Sequence, residues 1–138
     1  MTTLKAILDA IDARIEAKIS GTSFIKGYPA WDRPYMTPPV IAGWFTGQEA
    51  QPGRRVGQGI TTYNATFQVA AFAIDELAMF TMLDSLRTAF KDWTRPTVSG
   101  VIMRVSAGNW QRLMPDETAI EKTRYAVGTE ITFSFEEQ

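Results

Sequence analysis

Residues 61–90 read TTYNATFQVAAFAIDELAMFTMLDSLRTAF, and the hydrophobic period of this stretch changes halfway along it. From Thr61 to Phe72, apolar and polar side chains alternate, which predicts a β-strand with one buried face. From Asp75 onward, apolar residues recur every three or four positions, which predicts an amphipathic helix capped by the Asp75 carboxylate. Its predicted apolar stripe consists of Met79, Phe80, Leu83, Leu86, Phe90 and Trp93. Pro96 stops that helix. A half-buried strand therefore runs directly into a helix.

The polar face of the predicted strand carries no charge. It consists of Thr62, Asn64, Thr66 and Gln68. Solvated sheet faces commonly carry Lys or Glu, whereas hydroxyl and amide groups are easier to bury against a neighbouring subunit. Two interpretations are open at this point: a solvent-facing surface that happens to lack charge, and a subunit interface.

Similar patterns on both sides of this stretch complete the predicted fold. An apolar stripe near the N-terminus predicts a second amphipathic helix, with Gly21 just beyond its end. Its members are Leu4, Ile7, Leu8, Ile11, Ile15 and Ile19. A connector rich in proline and aromatic residues follows, and its Tyr28, Trp31 and Tyr35 are expected to pack on the edge of the core. Further strands are predicted at 40–46, 99–106 and 125–137, with an irregular stretch at 107–124. We expect one α+β domain over residues 1–138, with two layers: a mainly antiparallel four-stranded sheet and two amphipathic helices packed on one face.

A glycine-rich segment, GQEAQPGRRVGQGI at residues 47–60, separates the first two predicted strands and is expected to be a long loop. It lacks a Lys followed by Ser or Thr and joins strand to strand, so it does not fit a phosphate cradle. Long loops of this kind usually serve a function or are disordered. We predict that the loop orders against a partner, with contacts from Gln48, Arg54, Arg55 and Gln58.

The composition argues against most enzymatic chemistry. The chain has no cysteine and no histidine, and its formal net charge is -1. Neighbouring carboxylates such as Asp116 and Glu117 are explained by capping or by opposite strand faces, so we expect no catalytic residue, no cofactor and no metal site. No apolar run reaches the length of about 18 residues that a membrane span needs. Basic residues around the loop and the second irregular stretch would gather at one end of the sheet and form a solvated or interface rim. They are Arg54, Arg55, Arg104, Arg112, Lys122 and Arg124.

The order of these elements resembles the tail terminator, or tail completion, proteins of long-tailed bacteriophages. Four segments carry the resemblance: LKAILDAIDARIEAKI at 4–19, TPPVIAGWF at 37–45, the strand-to-helix stretch at 61–90, and YAVGTEITFSFEE at 125–137. Other head-tail connector and neck proteins have related layouts. A small intracellular α+β domain that binds a ligand or acts as an enzyme is the alternative from another class.

The resemblance implies a structural protein without catalysis. Its partners would be further copies of the chain in a homo-hexameric ring, the tail tube protein, and a neck or head-completion protein. Genomic DNA would pass through the lumen of the ring without specific binding, and no membrane would be involved. The protein would assemble in the host cytoplasm and reside in the virion at the head-tail junction.

Overall fold

The computed structural model describes residues 3–19, 21–34, 36–52 and 61–137, which form an α+β fold. In chain order, the elements are α1 (Leu4–Lys18), β1 (Ser23–Lys26), β2 (Val40–Pro52), β3 (Thr61–Ala73), α2 (Glu76–Lys91), β4 (Thr97–Val98), β5 (Val101–Ile102), β6 (Arg104–Ala107), β7 (Gln111–Arg112), a 3-10 turn (Glu117–Ala119), α3 (Ile120–Thr123) and β8 (Tyr125–Glu137). None of the helices in these described ranges is both long and apolar enough to cross a membrane.

The main sheet has six strands in the order β1-β2-β3-β8-β6, and β7 also pairs with β8. β1 runs parallel to β2, and the other pairs are antiparallel. The three long strands β2, β3 and β8 have 13 residues each. At about 3.3 Å per residue, they form a ribbon about 43 Å long.

Both long helices pack on one face of this ribbon, as the sequence predicts. The buried side chains of this layer include Ile7, Ile11 and Ile15 of α1, Met79, Leu86 and Phe90 of α2, and Ala65, Phe67, Val69 and Ala71 of β3. Thr3 caps α1 and Asp75 caps α2, each accepting a bond from a backbone amide three residues on. The Arg14 guanidinium donates to the carbonyl of Ala89 at 2.7 Å and links the two helices.

The opposite face of the sheet is covered at one end by a second, smaller cluster. It contains Trp31, Val40, Ala42, Ala70, Phe72 and Ala126. The Trp31 ring meets the Phe72 ring edge-on, with 4.6 Å between centroids. Lys122, at the end of the chain's third helix, donates to the carbonyls of Trp31 and Arg33. The proline-rich connector therefore packs on the core, as expected for Trp31.

The prediction of four strands and two helices was too simple. β1 adds a parallel edge strand beside β2. The strand predicted at 99–106 is interrupted because Ser99 and Gly100 both have positive φ angles, 52° and 78°, which turn the chain into the β4–β5 hairpin before β6 begins. The segment predicted to be irregular, 107–124, contains β7, the 3-10 turn and α3.

The predicted loop at 47–60 was also wrong in its first half, because β2 continues to Pro52. A β-bulge at Thr46 shifts the register between Phe45 and Gly47, and the Thr46 hydroxyl donates to the carbonyl of Thr66 at 3.0 Å. After the bulge, residues 47–52 pair with residues 66–61 of β3. Pairing with a complete neighbouring strand satisfies backbone groups and outweighs the local glycine and proline signal. Residues 53–60, with Arg54, Arg55 and Gln58, lie outside the described residues.

Candidate functional site

The polar residues predicted to share one face of β3 do so, on the side away from α1 and α2. We call these residues, together with Thr132 and Ser134 of β8, the polar strip; the β3 members are Thr62, Asn64, Thr66 and Gln68. All six side chains are half-buried. The strip is hydrogen-bonded across the two strands, because the hydroxyls of Thr66 and Thr132 lie 3.2 Å apart and the Ser134 hydroxyl donates to the Asn64 amide oxygen at 2.5 Å.

Charged residues lie at the margins of the polar strip rather than within it. One row across the sheet reads Glu49, Asn64, Ser134 and Arg104, so the row begins with a carboxylate on β2 and ends with a guanidinium on β6. Both charged side chains are exposed, and neither forms an ion pair within the described residues. The next row, from Gly47 to Ser106, is uncharged. The sheet thus presents opposite charges at its two edges.

Two acidic residues of β8 mark the ends of the strip along the strand. Glu130 is opposite Gln68, and Glu136 is opposite Thr62. Both are exposed. The interior of the strip is therefore neutral over the rows of Asn64 and Thr66.

The second half of β2 is a free sheet edge within the described structure. β1 pairs with residues 40–43 only, and no described strand borders residues 44–52 on that side. The carbonyl of Gly43 points outward, since it accepts a bond from the amide of Gly27 at 2.7 Å. In an antiparallel pair, outward-pointing residues alternate, and the bulge shifts the alternation by one. The backbone groups of Gln48 and Ala50 consequently point away from β3, where another strand or side chain can meet them.

A cavity of about 670 Å³ lies at the opposite edge of the sheet, between β8, the start of β6 and the β4–β5 hairpin. Arg95, Arg104 and Glu136 line it together with the hydroxyl residues Thr62 and Ser134. Sequence reasoning missed this cavity because its walls come from four segments whose spacing along the chain carries no recognisable motif. The Ser99–Gly100 turn was the one local signal that a hairpin stands here.

Gln48 and Arg112, two further residues predicted at an interface, do not join the polar strip. Gln48 is opposite Ala65 and so projects from the face that carries the helices. Arg112 is opposite Val127, seven residues along β8 from the Ser134 partner of Arg104, which corresponds to about 23 Å. Arg104 and Arg112 therefore lie at different levels of the sheet and do not gather at one end.

Arg112 takes part in a local cluster instead. Its guanidinium lies 5.9 Å from the centroid of the Tyr125 ring, donates to the carbonyl of Arg124, and is 3.9 Å from the Glu76 carboxylate. Because these partners are largely exposed, the cluster stabilises the fold only weakly.

Apolar side chains are exposed where α2 begins. Ile74 and Leu77 are 64% and 77% exposed, and Phe80, predicted in the buried stripe, is 49% exposed. Phe80 was wrongly predicted to be buried, because the helical spacing of apolar residues does not show how much of the helix surface the sheet covers. The buried residues Met79, Leu86 and Phe90 define the true stripe.

Perturbed pKa values occur in two surface clusters. The ammonium of Lys26 lies 2.6 Å from the Asp9 carboxylate, and this hydrogen bond lowers the pKa of Asp9 and raises the pKa of Lys26. Hydrogen bonds from Thr118 lower the pKa of Asp116. Burial, with the nearby Asp116 charge, raises the pKa of Tyr28. Each group is engaged in a contact that ties a turn or strand to its neighbour.

Within the described residues, no group of three or more His, Cys, Asp or Glu side chains is placed to hold a metal ion. No protein-family model matches the chain, and no curated protein is significantly similar to it.

Proposed function

We propose that this chain is a structural virion protein of a long-tailed bacteriophage, a tail terminator that caps the tail tube as a ring and forms the head-tail joining surface without catalysis. The observation that carries the proposal is the polar strip, an uncharged surface on a 43 Å ribbon of strands whose other face holds both long helices. The order of elements that resembles tail terminators supports it from the sequence.

The chemistry of the polar strip suits a surface that is covered in a ring or lines its lumen. Burying an unpaired charge is costly, whereas hydroxyl and amide groups that already bond to each other lose little when water leaves. Thr66 pairs with Thr132, and Asn64 pairs with Ser134, so the strip is largely satisfied before assembly. A lumen lined in this way also lacks the Lys and Arg contacts that hold DNA phosphates, which suits DNA that passes through without specific binding.

A ring of identical subunits needs two different surfaces that fit each other, because its contacts run head to tail. The sheet has two unlike edges. Among the described residues, the β2 edge carries backbone groups without a partner strand and Glu49, whereas the β6 edge carries Arg104 and the cavity. These edges can act as the two complementary halves of one contact.

In this proposal, the partners are further copies in a homo-hexamer, the tail tube protein, and a neck or head-completion protein. The protein acts in the virion at the head-tail junction. Another head-tail connector protein, at a different position in the neck, would use the same ring geometry with other partners above and below it.

Native mass spectrometry tests the proposal. The protein is measured alone and after mixing with assembled tail tubes that are then gently dissociated. We expect a hexameric species, at least in the sample assembled on tubes, because a tube end can act as a template for weak contacts. A monomer in both samples, with no mass bound to tubes, would contradict the proposed function.

The cavity favours a second candidate, a domain that binds a small anionic ligand. Arg95 and Arg104 supply positive charge there, and Ser134 supplies a hydroxyl. Thermal melting with inorganic phosphate and with small dicarboxylates distinguishes the two. A ligand-dependent rise in melting temperature that disappears in Arg104→Ala would favour this candidate over the structural one.

A further inference from the structure

We infer that neighbouring copies of this chain join side by side through the two edges of their sheets, with Glu49 of one copy facing Arg104 and Arg95 of the next. This inference rests on the proposed ring and names the contact that builds it. It follows from the charges of the row from Glu49 to Arg104, from the strand directions, and from the backbone groups and side chains at the two edges.

The row that starts at Glu49 and ends at Arg104 crosses four strands on one face. When a second copy is placed alongside with its sheet in line, the end of one row adjoins the start of the next. The guanidinium of Arg104 then faces the carboxylate of Glu49 at the same level, with the segment 94–96 between the two strands. In the same way, Ser106 at the end of the neutral row adjoins Gly47 at the start of that row in the next copy.

The strand directions permit this arrangement. β2, β3, β8 and β6 alternate in direction, because every neighbouring pair among them is antiparallel. β6 of one copy and β2 of the next therefore also run antiparallel when the copies have the same orientation. A rotation about a ring axis preserves that orientation, so the arrangement repeats from copy to copy.

The β6 edge differs from the β2 edge in its backbone. Residues 94–96 border β6, because the amide of Val105 donates to the Thr94 carbonyl and the amide of Met103 donates to the Pro96 carbonyl, both at 2.9 Å. The incoming β2 strand therefore meets this segment, with Arg95 next to Arg104, rather than the backbone of β6 itself. Arg95, in the bordering segment, and Arg104 line the same cavity and can both reach a carboxylate at its mouth.

The charges favour unlike edges over like edges. The cavity holds two arginines and one glutamate, Glu136, which leaves it net positive. Two β2 edges would join an edge that carries Glu49 to its own copy, and two β6 edges would do the same with an edge that carries Arg95 and Arg104. Like charges opposed in this way are unfavourable, so the contact runs head to tail instead of forming a twofold dimer.

Cross-linking tests the contact, because the chain has no cysteine of its own. Gly47→Cys and Ser106→Cys place thiols at opposite ends of the neutral row and leave the charged row intact. A side chain at Gly47 meets nothing within 4 Å, and Ser106 is exposed, so both variants should fold. We expect a short bifunctional maleimide to give covalent dimers when the two variants are mixed, and none with either variant alone.

The matched control replaces Ser106→Cys by Thr88→Cys, an exposed position on α2.

Charge reversal adds a second readout. Glu49→Arg or Arg104→Glu, introduced into the cysteine variants, should lower the dimer yield about two- to fivefold or more, and the two reversals combined should restore it.

The outcomes separate this inference from the proposed function. If rings form on tube ends but the mixture of Gly47→Cys and Ser106→Cys gives no covalent dimers, the inference alone is overturned. The same holds if charge reversal leaves the dimer yield unchanged, or if the Thr88→Cys control gives as many dimers as the Ser106→Cys variant. Dimers that respond to charge reversal, without any binding to tubes, would support the contact and contradict the tail terminator. Absence of both dimers and rings would overturn both.

Discussion

Thr66→Lys places a charge at the centre of the polar strip and separates an effect on folding from an effect on assembly. In the monomer, the change removes one partly buried hydrogen bond, between the Thr66 and Thr132 hydroxyls at 3.2 Å. Such a bond contributes about 1 kcal/mol. The lysine stem can lie along the strip and keep its ammonium in water. For a chain of this length, we expect the melting temperature to fall by roughly 3–5 °C.

In a ring that covers the strip, the residues directly opposite the lysine among the described strands are Gly47 and Thr132, and the nearest carboxylates on this face, Glu49 and Glu130, are only diagonal to it and lie exposed at the margins of the strip. An unpaired buried ammonium costs several kcal/mol. Even about 3 kcal/mol per contact weakens subunit association by more than about 100-fold. The expected loss of assembly is therefore much larger than the expected loss of stability.

The assay compares thermal melting with tube capping for the wild type, Thr66→Lys and the control Thr88→Lys, whose lysine is exposed on α2. We expect only Thr66→Lys to lose capping, while both variants stay folded. A Thr66→Lys protein that caps tubes as well as the wild type does would show that the strip is neither a contact nor a narrow lumen, and the reasoning would fail.

Three further predictions concern the fold. Gly128→Ala should destabilise the protein by about 1–3 kcal/mol in urea unfolding, since the added methyl carbon would lie 2.5 Å from a carbonyl oxygen of the adjacent strand; wild-type stability would contradict this packing. Leu86→Ala, at a fully buried site, should cost about 2–5 kcal/mol, whereas Leu77→Ala, at an exposed one, should stay within about 0.5 kcal/mol; equal losses would refute the assignment of the stripe. Because Lys26 lowers the pKa of Asp9, the stability from that contact is present above pH 3.8 and is lost as the pH falls through the lowered pKa. The urea midpoints of Asp9→Asn and the wild type should therefore converge in that acid range. A constant difference between the two midpoints would count against the contact.

The elements with strong periodicity could be predicted from the sequence. β3 and α2 follow from the change of period at Asp75, and α1 follows from its isoleucine stripe, because one buried face fixes the pattern of a whole element. The shared face of Thr62, Asn64, Thr66 and Gln68 follows from strand alternation alone.

The features that were missed depend on distant parts of the chain. Residues 47–52 carry glycine and proline signals, yet they form a strand because β3 is available along its full length. Likewise, β1 is only four residues long and exists through its parallel pairing with β2. The cavity of Arg95 and Arg104 is assembled from separate segments, so no spacing in the sequence marks it.

The most direct test of the central claim is negative-stain electron microscopy of the purified protein mixed with tail tubes. The tail terminator account predicts a sixfold ring with a central hole that sits at one end of each tube. Tubes with bare ends, beside a protein that remains a compact monomer, would contradict it.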